Sequence, residues 1–172
     1  MYATALAKLQ IFEGLPESAA QIVCDNLVVK DYDANQTILN EGDQVQALWI
    51  ILEGKCVVSR CCQPGNERVL AELQAGDVFG EMSFVRTAPH SASIQTRSAV
   101  KVAAYGRSDF QQLFETNPEA ASRIYGNIAS VLAERLRRMD NWVCDLVDTP
   151  QGNDHKDEWE SFRSAVYTNW NF

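Results

Sequence analysis

Apolar positions along this chain change period twice. Near the N-terminus they recur at helical spacing: Leu6, Leu9 and Phe12 can share one face. Leu15-Pro16-Glu17 restarts a second helix, with Ala19, Ile22, Val23 and Leu27 on its apolar side and Pro16 suited to its first position. From Val28 the period becomes that of strands. LVVKDYD, QTILNEGD, ALWIILEG, KCVVSRC, RVLAEL, QAGDVFG, ASIQT and AVKVAAY are short runs divided by Gly, Asn, Asp and Pro. Such spacing predicts an antiparallel sandwich or barrel, with Gly42, Gly54, Gly65 and Gly76 at its corners. From Arg107 the helical period returns. Ser108 is the expected N-cap of a helix carrying Phe110, Leu113 and Phe114 on one face. Asn117-Pro118 then opens a long helix, about 118–147, which Pro150 and Gly152 end.

The long helix has two apolar faces. Ile124, Ile128 and Val131 form one. Tyr125, Ala129, Leu132, Leu136, Met139, Val143 and Leu146 form the other, alternating steps of four and three, which is the seam of a coiled coil. One face serves the helix's own domain. The second fits a symmetric copy and makes a homodimer the expected assembly, the other reading being that both faces pack inside one chain. Beyond Val147 an acidic linker leads to KDEWESFRSAVYTNWNF. There Trp159, Phe162, Val166 and Trp170 fall on one helical stripe, which either docks on the same protein or holds a protein partner. The expected organisation is one domain over 1–147 and a linker with a short aromatic helix over 148–172. The fold class is α+β: an antiparallel β-roll or jelly roll flanked by N-terminal helices and a long C-terminal dimerisation helix.

Composition narrows the function. The 172 residues are 46% hydrophobic, enough for one core. The net charge of -8 disfavours nucleic acid as a partner. Arg135, Arg137 and Arg138 are interleaved with Glu134 and Asp140, so they read as a solvated helix face. No apolar run approaches the ~20 residues of a membrane span, and MYATALAKLQIF lacks a leader pattern, so a cytoplasmic setting is expected. Cys24, Cys56, Cys61, Cys62 and Cys144 show no CxxC and read as thiols rather than bridges, although Cys61-Cys62 beside a turn is placed to sense oxidant. With only His90 and His155, in unlike settings, no catalytic set and no metal site is expected.

One stretch carries chemistry. FGEMSF reads as a strand end turning into a short helix. The N–H groups from Met82 to Phe84 would then lack acceptors and point at one spot suited to a phosphate. A carboxylate beside a phosphate repels it, so Glu81 is better placed to accept from sugar hydroxyls. Phosphate plus hydroxyl acceptor means a nucleotide or a sugar phosphate; a capped turn with a solvated glutamate is the plainer reading of these residues alone.

Phe79-Gly80-Glu81-Met82-Ser83-Phe84, followed by Pro89-His90-Ser91-Ala92-Ser93-Ile94, resembles the phosphate-binding cassette of the cyclic nucleotide-binding domain family. LQIFEGLPESA, NEGDQVQALWIILEGKCVV, LQAGDVFGE and YGRSDFQQLFETNPE resemble the family's entry helices, first hairpin, approach to the cassette and exit helix. The resemblance runs from about Leu9 to Val147. It implies a non-catalytic sensor of cAMP or cGMP, with no cofactor. Glu81 would accept the ribose 2′-hydroxyl, Gly80, Met82 and Ser83 would give backbone contacts, and Ser91 would approach the phosphate. The family's phosphate-pairing arginine falls on His90, which offers a lone donor or a cation in place of a permanent charge. Arg86 is the candidate auxiliary phosphate contact. The rival reading is a degenerate cassette in a ligand-independent dimerisation or protein-interaction module. A transcription regulator of catabolite-activator type needs a DNA-reading domain, and the roughly 25 residues after Val147 form no basic recognition helix.

Overall fold

The computed structural model describes residues 9–63 and 66–147. A 3₁₀ turn, Gln10–Phe12, precedes helix α1, Glu17–Asp25. Strands β1 (Leu27–Tyr32), β2 (Thr37–Leu39), β3 (Ala47–Glu53), β4 (Lys55–Gln63), β5 (Asn66–Gln74) and β6 (Val78–Phe79) follow. A short helix α2 (Glu81–Val85) interrupts the strands before β7 (Ser93–Thr96) and β8 (Val100–Gly106). Helices α3 (Arg107–Thr116) and α4 (Pro118–Val147) complete the order. The chain divides into two compact units, residues 1–128 and 129–172, with the boundary inside α4.

Each of the eight expected runs has become a strand. They form two antiparallel sheets, ordered β1-β8-β3-β6 and β2-β7-β4-β5. The core lies where the sheets face one another. Trp49, Ile51, Phe79, Val100, Val102 and Ala104 from the first sheet meet Leu39, Cys56, Leu73 and Ile94 from the second. Burial pushes the Cys56 thiol up to about 11, so that sulfur behaves as a small apolar group.

Strand β3 is buried on both faces. Its alternate residues Leu48 and Ile50 look away from the sheet-to-sheet core and are equally inaccessible. On β8, Tyr105 shares that outer face, being paired with Leu48. Aromatic rings cover it: Phe84 lies 5.2 Å from Phe110 and 6.4 Å from Tyr105, and Tyr125 meets Phe110 edge-on at 4.6 Å. Among the described residues the Tyr105 hydroxyl has no hydrogen-bond partner, and burial, with Asp109 adding to it, raises its phenol to about 12.

The helical expectations are met with shifts. Gly106, not Ser108, caps α3. The reason is that the helix follows directly where β8 stops pairing with β3, at Gly106, so it starts two residues earlier than expected and takes Ser108 inside. Pro16 occupies the N-cap of α1 and its carbonyl accepts from Ala20 at 2.9 Å. Leu6 falls outside the described residues, as does the aromatic segment over 148–172. On α4, Ile124 and Ile128 are buried. Tyr125, the first seam position, is half-buried against Phe110, while Leu136 and Met139 further along are 45% and 50% exposed. Among the described residues no helix is long and apolar enough to cross a membrane, and no group of metal-ligating side chains assembles.

Of the corner glycines, Gly54 between β3 and β4 is the most constrained. Its φ is +89°, and a Cβ there would stand 2.2 Å from the Ala99 carbonyl oxygen. Gly54→Ala should therefore lower the unfolding free energy by at least about 2 kcal/mol in urea titration. A loss below about 0.5 kcal/mol would mean that this corner is free to relax.

Candidate functional site

The cassette begins where β6 ends. Gly80 has φ +78° and serves as the N-cap of α2. A Cβ at this position would lie 2.7 Å from the Ala47 carbonyl oxygen and 3.0 Å from Trp49 Cδ1, both on β3. Only a residue without a side chain brings the chain this close to β3 while turning left-handed. The five residues Glu81–Val85 then make little more than one helical turn.

That turn sorts the side chains sharply. Glu81 and Ser83 face inward and are buried, Glu81 to 5% exposure. Met82, 59% exposed, faces out. Arg86 and Ser91 are also exposed, and Ser91 Oγ approaches Met82 Sδ at 3.9 Å. The Phe84 N–H donates to the Gly80 carbonyl at 3.0 Å. The expectation that the N–H groups from Met82 to Phe84 all lack acceptors is thereby corrected. A full helical turn closes back on Gly80, so the helix supplies Phe84 with an acceptor and leaves Met82 and Ser83 without one of its own.

His90 departs most from expectation. It is only 7% exposed, and its ring turns into the protein. Nε2 lies 2.7 Å from the Val45 carbonyl oxygen. A carbonyl only accepts, so Nε2 carries a proton and donates. Nδ1 lies 3.3 Å from Ser83 Oγ, which stands 3.0 Å from the Gly80 carbonyl, so the one hydroxyl proton is shared between two acceptors, Nδ1 and that carbonyl. The backbone adds two bonds: His90 N–H to Asp43 O and Gly42 N–H to His90 O, both 2.8 Å. The His90 ring is therefore engaged at both nitrogens. It ties the cassette to the loop between β2 and β3.

The structure thus brings Ser83 and His90 together beside the Gly80 carbonyl, buries Glu81 on the same turn, and leaves Met82, Arg86 and Ser91 exposed. The tying carbonyl of Val45 belongs to the backbone, and no side-chain pattern announces it. A second residue absent from the sequence-derived set is Arg107. Its guanidinium donates to the carbonyls of Phe84 and Val85 at the end of α2. One signal was legible: an arginine opening a helix opposes that helix's dipole and so has business elsewhere.

Comparison with known proteins identifies the family. The cyclic nucleotide-binding domain family matches residues 29–117, and the chain belongs to it. It is 31% identical over 144 residues to the CRP-like cAMP-activated global transcriptional regulator of Mycobacterium tuberculosis, covering 84% of this chain and 62% of that one. Among solved structures it resembles the catabolite activator protein of Thermus thermophilus, at 31% identity and TM-score 0.69, over 80% of this chain and 62% of that one. A cyclic nucleotide-binding domain from Methylobacillus flagellatus shares the fold at TM-score 0.77 and 21% identity, over 84% and 83% of the two chains. The chain thus spans about 62% of the length of its Mycobacterium relative.

The position of His90 makes a stability prediction. His90→Ala removes the donor to Val45 and the ring beside Ser83. Ligand-free protein should lose about 1–3 kcal/mol of unfolding free energy in urea titration. A change within about 0.5 kcal/mol would show that the ring does not hold the cassette in solution.

Proposed function

We propose that this chain is a regulatory module that binds a cyclic nucleotide, cAMP or cGMP, without catalysis of its own. The observation that carries this reading is the turn at Gly80. A left-handed glycine pressed onto β3 starts α2 with Glu81, Met82 and Ser83 in the order of the family's cassette. In this reading Glu81 accepts the ribose 2′-hydroxyl. The backbone at Gly80, Met82 and Ser83 meets the cyclic phosphate from one side, and Ser91 from the other. Arg86, exposed at the end of α2, supplies auxiliary positive charge. His90 supports the cassette from behind. The description of the Mycobacterium relative as cAMP-activated supports the ligand class.

Residues 1–147 act as the sensing domain in this proposal. Its seam on α4 from Tyr125 to Leu146 pairs with a second copy, the exposure of Leu136 and Met139 being what such a seam requires. The segment over 148–172 is left for a protein partner. A second reading, a ligand-independent dimerisation and interaction module, draws support from one observation: both His90 nitrogens already have protein partners.

Calorimetric titration with cAMP and cGMP separates the two. Wild type should bind one of them weakly, and Glu81→Ala should weaken it further. His90→Arg restores a permanent charge and should tighten binding about 10- to 100-fold, the worth of a charge-assisted bond of about 1.5–3 kcal/mol. No heat from wild type or His90→Arg at millimolar ligand would leave the interaction module as the better account.

The assembly is tested apart from the ligand. Leu136→Glu places charge in the centre of the seam and should yield monomers by light scattering. A wild type already monomeric at micromolar concentration ends the dimer proposal.

A further inference from the structure

A helix leaves its last carbonyls without intrahelical donors. At the end of α2 one side chain takes two of them. Arg107, the first residue of α3, donates through Nη1 to the Phe84 carbonyl and, at 3.3 Å, to that of Val85. Its backbone N–H donates to the Gln46 carbonyl at 3.1 Å. Gln46 adjoins Val45, whose carbonyl accepts the His90 Nε2–H. A single residue therefore reaches both ends of the cassette. It holds the C-terminal end of α2 directly, and the His90 end through the two residues Val45 and Gln46.

Two further facts fit this placement. The guanidinium sits at the negative end of the α2 dipole, where a cation is favoured, although its own α3 would disfavour it. The polar tie also runs beside an apolar one, since the Phe84 ring packs edge-on against Phe110 of α3. The ring contact alone leaves α2 free to rotate about it. The fork made by the two N–H bonds of Nη1, one to each carbonyl, fixes the rotation, because a planar guanidinium holds those bonds in set directions.

We infer that Arg107 is a positioning residue for the cassette, which fixes the end of α2, and with it the direction of the Met82 and Ser83 N–H groups, and joins α2 to α3. The inference rests on the binding reading above. Arg107 acts through α2 and makes no contact with the nucleotide. Its loss costs affinity because the amides are no longer held in line, and it weakens the link to α3, which then rests on the ring contact without the side-chain tie to α2.

The test is an amide NMR titration of the full chain with cAMP, for wild type, Arg107→Ala and Arg107→Lys. In wild type the Met82 and Ser83 amides and those of Ser108–Leu113 in α3 should shift together. In Arg107→Ala the affinity should fall about tenfold, consistent with the loss of a charged donor. At saturation its cassette amides should still shift while α3 no longer follows. Arg107→Lys keeps the charge without the fork and should fall between the two, which preserves the comparison if the alanine variant does not fold. Phe110→Leu serves as the control for a purely structural effect: it should lower the melting temperature and leave the joint response intact. Wild-type affinity with α3 still following in Arg107→Ala overturns the inference and leaves the binding reading standing. Met82 and Ser83 amides that stay still in wild type remove both.

Discussion

The approach of Gly80 to β3 is the contact on which the rest of the cassette depends. β3 is buried on both faces, by the opposing sheet on one side and by aromatic rings on the other. Nothing attached to it can shift without disturbing a packed layer. Gly80 touches this strand at the Ala47 carbonyl and the edge of Trp49, with no room for a Cβ. The direction of α2 is thus inherited from the most rigid element available. Burial of Glu81 and Ser83 and exposure of Met82 then follow from the turn of a helix started at that point.

Histidine and arginine solve different problems at position 90. An arginine is long, always charged and suited to a phosphate in front of the cassette. An imidazole is short, and here its two nitrogens match two groups behind it, the Val45 carbonyl and Ser83 Oγ. Ser83 completes the match. A residue with no hydroxyl at that position would leave Nδ1 facing an apolar wall, at the expense of an unsatisfied buried group. Histidine at 90 and serine at 83 therefore read as one feature. The exposed Ser91 next door keeps the outward face polar.

Much of this was legible in the chain, for identifiable reasons. Short runs bounded by Gly, Asn, Asp and Pro mark strands whether they alternate or, like β3, are apolar throughout, so all eight runs were readable, and Gly54 and Gly76 adopt the positive φ their corners require. The turn from β6 into α2 was readable because Gly80-Glu81 at a strand end is a local pattern. Helix starts were less so: the α3 start was displaced from Ser108 because β3–β8 pairing, a long-range contact, set where the strand ended. The direction of the His90 ring was not readable at all. It depends on a carbonyl 45 residues away in sequence, and every residue has a carbonyl. Arg107 lies between these cases, since its awkward place at a helix start is visible but its target is not.

A cassette tied at both ends has a different energetic problem from a loose one. Binding free energy is what contacts give less what ordering takes, and each side chain or loop segment fixed on binding costs a portion of the gain. With His90 held to the loop between β2 and β3 and the end of α2 held by Arg107, much of that ordering is complete before any ligand arrives. In the proposed sensor, histidine at 90 gives up an attraction that an arginine would supply, and the ties reduce the ordering cost that attraction would have to offset. Affinity and response would then be set by different residues. A pre-ordered cassette would change little on binding, so its signal would travel through the bonds that join it to its surroundings. The Arg107 fork on the carbonyls of Phe84 and Val85 is a polar one of those bonds, and it leads into the helices.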